Sequence, residues 1–70
     1  MNIDDIKMQV SRSIGREVKI TVNGIRNKQS EYYGVITGAY PYIFTISTGM
    51  EKKSFSYAEV LSKEVSLKFI

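Results

Sequence analysis

At the start of the chain, apolar residues recur at intervals of three and four, at Ile3, Ile6, Val10 and Ile14, with polar side chains between them. That spacing lines one face of a helix. Asn2 is placed to cap the first turn, Asp4 and Asp5 put negative charge where the helix dipole favours it, and Arg12 sits near the end. Gly15 follows as a stop signal, so the pattern predicts a helix over 2–14. From Arg16 the period shortens to two, with Val18, Ile20 and Val22 alternating with Lys19, Thr21 and Asn23 as a half-buried strand requires. Asn23-Gly24 then signals a turn, and the polar run from Arg26 to Ser30 reads equally as a loop or as the start of the returning strand.

A second strand is expected from Glu31 to Ala39, with Gly34 marking a bulge or sharp bend and Gly38 a second such point. Tyr40-Pro41 interrupts pairing, because proline lacks the amide donor. Tyr42 to Ser47 reads as a third strand rich in aromatic and β-branched residues, and Thr48-Gly49 ends it. A short fourth strand follows over 52–57, one helical turn over 58–61, and a fifth strand over 63–69 in which Val65, Leu67 and Phe69 alternate. One helix and then five short strands with glycine bends suit a mainly β fold, a small antiparallel barrel of the SH3-like or Sm-like type over about 16–69. An OB-fold ranks second, since the segment Thr48 to Lys53 is too short for the helix that fold places between its third and fourth strands.

Seventy residues make one domain, 1–70, with no room for a second core. A chain this short buries only about 60% of its unfolded surface, and disulfides, metals or partner subunits are the usual reinforcements. Cysteine and histidine are both absent. That excludes disulfide frameworks, Cys/His zinc sites, thiol nucleophiles and imidazole acid/base chemistry, and leaves apolar packing, with a dimer as one way of extending it. The stretch from Tyr32 through Met50 carries no charge, yet its glycines, its proline and its Thr/Ser content break it into strand-like pieces, so no membrane span is expected. The beginning of the chain, Met-Asn-Ile-Asp-Asp, has neither the basic nor the apolar region of a secretory signal, and a cytoplasmic location is expected.

Catalysis would fall to Ser, Thr, Tyr, Lys, Asp or Glu, each needing an activating partner. No Ser-x-x-Lys string, glycine-rich phosphate loop or P-loop occurs. The adjacent carboxylates Asp4 and Asp5 lie at a helix start, which accounts for them without chemistry. A non-enzymatic protein without cofactor or metal is the expectation.

Two candidate surfaces remain. The net charge is +3, and between positions 7 and 28 six basic residues meet only Glu17. Within that stretch Arg16, Lys19, Arg26 and Lys28 are the candidates for contact with phosphates, by salt-sensitive, sequence-independent attraction. Ordinary solubilising charge is the equal alternative. The second surface is aromatic. Of Tyr32, Tyr33, Tyr40, Tyr42 and Tyr57, Tyr33 and Tyr57 are expected in the core, whereas Tyr40, Pro41 and Tyr42 form an exposed turn that could anchor a protein partner.

The strings Ile3-Asp4-Asp5-Ile6-Lys7, Gly15-Arg16-Glu17-Val18, Gly24-Ile25-Arg26-Asn27-Lys28, Gly34-Val35-Ile36, Tyr40-Pro41-Tyr42-Ile43-Phe44 and Ser54-Phe55-Ser56-Tyr57-Ala58-Glu59-Val60-Leu61 follow one another in this chain. In that order they resemble the bacterial Veg family, over almost the whole length. The resemblance implies an SH3-like barrel in a cytoplasmic bacterial protein. It also implies a part in the control of transcription and in stimulating biofilm formation, without a catalytic role. The partner would then be a protein, such as a transcription regulator, with nucleic acid admitted as a second class. A nucleic-acid-binding or ribosome-associated structural module is the alternative function. The Gly34-Val35-Ile36-Thr37-Gly38 string is also similar to the bent second strand of Sm-like proteins, but Tyr40 to Phe44 lacks the Asp and Asn of their RNA pocket, so uridine recognition does not carry over.

Overall fold

The computed structural model describes residues 2–24 and 28–70. The order is α1 (Ile3–Ser11), β1 (Glu17–Asn23), β2 (Gln29–Ala39), β3 (Ile43–Ser47), β4 (Lys52–Ser56), α2 (Tyr57–Leu61) and β5 (Val65–Phe69). The strands form one antiparallel sheet in the order β4-β3-β2-β1-β5. The mainly β, five-stranded arrangement expected from the alternating segments is thus present. Its two margins, β4 and β5, are not paired with each other among the described residues, so the sheet is open. The short helix α2 packs against both margins and against α1.

Helix α1 starts as its residues dictate: the Asn2 side chain accepts from the Asp5 amide at 2.9 Å, and the Asp5 carboxylate accepts from the Asn2 amide at 3.3 Å. This reciprocal cap satisfies donors that the first turn leaves without partners. The helix ends at Ser11, short of the expected residue 14. The Ser13 amide bonds the Val10 carbonyl and its hydroxyl bonds the Gln9 carbonyl, a tightening that serine promotes by competing for backbone groups. Ser13 therefore takes the buried position, and Ile14, expected on the apolar face, is 52% exposed. Gly15 then adopts φ +90°, a conformation that suits glycine, and its amide donates to the Ile36 carbonyl at 2.8 Å.

Every element contributes to a single core: Ile6 and Val10 from α1, Val18 and Ile20 from β1, Ile36 from β2, Phe44 and Ile46 from β3, Phe55 from β4, Tyr57 from α2 and Val65 from β5. Phe44 and Phe55 are cross-strand partners, with ring centroids 6.0 Å apart. Tyr57 stacks on the Phe44 ring at 5.7 Å. Such pairs contribute about 0.5–1.5 kcal/mol beyond the area they bury.

Strand β2 departs from expectation in two ways. The register shift falls between Ile36 and Gly38, at the second of the two expected points, whereas Gly34 stays in register opposite Val18. Gly34 is needed for close approach instead: a Cβ there would lie 2.6 Å from the Ser47 carbonyl oxygen. The second departure is Tyr33, expected in the core and 58% exposed. Gly34 and Ile36 are both buried, so by the two-residue period Tyr32 joins them against the core and Tyr33 faces outward.

Replacing Phe44 by alanine removes the central ring of the stack and is expected to destabilise the fold by about 3–5 kcal/mol, read as a lowered midpoint in a urea titration. Gly34→Ala should also lower the midpoint, since the obstructing atom is backbone; an unchanged midpoint would show that β2 and β3 can separate freely.

Candidate functional site

The hairpin joining β2 and β3 turns on Pro41 and Tyr42, closed by the Tyr40 amide donating to the Ile43 carbonyl at 2.8 Å. Proline suits such a turn because its φ is already set, and the Tyr40-Pro41 bond is trans. Two bonds tie the hairpin to α2. The Tyr57 hydroxyl donates to the Tyr40 carbonyl at 2.7 Å, and the Tyr57 amide donates to the Tyr42 carbonyl at 3.2 Å. The Tyr57 ring itself is buried, only 1% exposed, as the sequence reading expected. Burial pushes its phenol above the ordinary value of 10.0.

The hairpin tip is thereby fixed in place while its side chains stay outside. Tyr42 is 84% exposed, and Tyr40 and Ile43 are also exposed. The Tyr40 ring lies against the backbone of Gly38, where an added Cβ would fall 2.8 Å from its hydroxyl oxygen. Both tip tyrosines expected outside are outside.

The described cationic candidates, Arg16, Lys19 and Lys28, do not form one cluster. Lys19 projects from the outer face of β1, 3.5 Å from the Glu31 carboxylate. Arg16, just before β1, lies over the Phe69 ring with its guanidinium carbon 5.6 Å from the centroid. It lines, with Arg12, Asp5, Met8, Gln9 and Ser13, a shallow cleft of about 340 Å³ beside α1. Lys28 is exposed where β2 begins, and its carbonyl accepts from the Gly24 amide at 2.6 Å. Arg26 lies outside the described residues. Lys68 is a cation that sequence reasoning missed: it is the direct partner of Lys19 across β1 and β5. Its alternation in the fifth strand was visible in the sequence, but its neighbour depended on the β1–β5 pairing.

Asp5 is engaged in the α1 cap, and Glu59 accepts from the Ser56 amide at 3.0 Å in the equivalent cap of α2. Among the described residues no group of three or more His, Cys, Asp or Glu could hold a metal ion. No described helix is long and apolar enough to cross a membrane.

The family model described as "Biofilm formation stimulator VEG" matches residues 1–68. No curated protein matches the chain.

The Tyr57 contact generates two expectations. Tyr57→Phe removes one hydrogen bond to a carbonyl in a tight turn and should lower stability by about 1 kcal/mol. The raised phenol pKa means that the folded state holds its proton where the unfolded chain loses it. This contribution is complete below pH 10.0, and it is lost as pH rises from there through the folded-state value. Urea midpoints measured at increasing pH from 10.0 upward should fall more steeply for the parent protein than for Tyr57→Phe.

Proposed function

The chain belongs to the Veg family of biofilm formation stimulators, and from that membership we propose that it is a non-enzymatic cytoplasmic regulator that stimulates biofilm formation by controlling transcription through contact with a protein partner. The observation that carries this reading is the hairpin tip Tyr40-Pro41-Tyr42, whose backbone is clamped to the core while its rings stand in solvent. Aromatic side chains on a fixed backbone bring large contact area with few torsions left to freeze, which is why such residues dominate binding hot spots. Ile43, exposed beside them, extends the apolar contact. A transcription regulator is the class of partner that connects such a contact with a change in gene expression.

Tyr42 is the informative position, because its side chain makes almost no contact within the fold. Tyr42→Ala should leave the purified chain's thermal midpoint within about 4 °C of the parent's, as surface changes of up to about 0.5 kcal/mol do in a domain of this size, and the variant is then expressed in cells lacking the parental protein. It should nevertheless reduce biofilm mass severalfold and abolish co-purification of a transcription regulator. Full biofilm mass with Tyr42→Ala would overturn the assignment of this tip.

A further inference from the structure

On the opposite side from the core, β5, β1 and β2 place three side chains in one cross-strand row. Lys68 faces Lys19, and Lys19 faces Tyr33. Like charges directly opposite one another on a sheet are destabilising. A single carboxylate, Glu31, meets this pair, and it reaches Lys19; among the described residues Lys68 has no ion-pair partner. Tyr33 stands beside the cations with more than half its surface in water. Next to it is a shallow recess of about 250 Å³, lined by Gly34, Gly49 and Glu17 among others. Lys28 is exposed at the end of the same β1–β2 hairpin.

We propose that this outer sheet face binds single-stranded nucleic acid, with Tyr33 stacking a base and Lys19 and Lys68 meeting the adjoining phosphates. The observed pattern is an exposed ring in register with two cations, one of them, Lys68, without an ion-pair partner among the described residues, on a hydrogen-bonded sheet surface. Every base offers a face to stack on and every phosphate a negative charge, so binding is salt-sensitive and tolerant of sequence. A duplex hides its base faces and leaves Tyr33 nothing to stack on. Glu17, two residues from Lys19 on the same face, limits the cationic row on one side. The hairpin tip plays no part in this surface, so the inference is independent of the protein contact proposed above.

The test is fluorescence anisotropy of the full chain with a labelled oligothymidylate of about 15 nucleotides, within the site sizes known for single-strand grooves, and with a duplex of equal length. The single strand should bind more tightly than the duplex. Its log–log salt slope should become shallower by about 0.7 when Lys68 is replaced by serine. Tyr33→Ala should weaken single-strand binding roughly tenfold, Tyr33→Phe should restore it, and Tyr42→Ala should leave it unchanged. Amide shifts of the unsubstituted protein, mapped with the same oligonucleotide, should centre on Lys19, Tyr33 and Lys68, which keeps the test valid if a variant folds poorly. Absence of binding at about 50 mM salt, equal affinity for single strand and duplex, or shifts centred elsewhere would overturn the proposal.

Discussion

The phenol of Tyr57 holds three parts of the molecule together. Its ring stacks on Phe44, which in turn meets Phe55 across β3 and β4. Its hydroxyl bonds the Tyr40 carbonyl at the β2–β3 turn, and it is also the first residue of α2. A domain of this size has little apolar area to bury and, without cysteine, no disulfide to reinforce it. One side chain that both fills the core and satisfies a turn carbonyl therefore carries unusual weight. The hydroxyl is accommodated because its partner is a backbone acceptor; without one, burying it would be unfavourable.

From that anchor follows the division of the surface. The chain around Tyr40 to Ile43 is pinned by its own turn bond and by two bonds from Tyr57, so Tyr42 is held outward on a backbone with little freedom. The inward parity of β2 is set by Gly34 and Ile36, and it turns Tyr32 toward the core, where Lys53 lies 4.4 Å over its ring. The same parity turns Tyr33 to the opposite face. Two adjacent tyrosines thus serve opposite sides of one sheet.

The family assignment and the geometry bear on different questions. Membership connects the chain with stimulation of biofilm formation. The two proposed surfaces rest on the geometry alone: a clamped aromatic tip at one turn and a row of cations with a ring on the outer sheet face. Two basic residues only three apart in the sequence are divided between settings, Arg16 resting on Phe69 near the α1 cleft and Lys19 standing on the sheet beside Lys68.

Much of the secondary structure was legible because it rests on local chemistry. Asn2 and Asp5 cap α1 through contacts three residues apart, the alternation of Val18 and Ile20 marks an inward face, and Pro41 forces a turn. Tyr57 was recognisable as core, and Tyr40 and Tyr42 as exposed, for similar reasons. What could not be read locally was parity and partnership. Whether Tyr32 or Tyr33 faces inward depends on the close packing of Gly34 against the Ser47 carbonyl, and the loss of Ile14 from the helical face depends on the tightening at Ser13. The pairing of Lys19 with Lys68 joins residues far apart along the chain. The sequence by itself determined the elements, their order and the family, because capping, periodicity and turn chemistry act over a few neighbouring residues. Only the tertiary structure decided which side chains share a face, because strand register is set by contacts between distant segments.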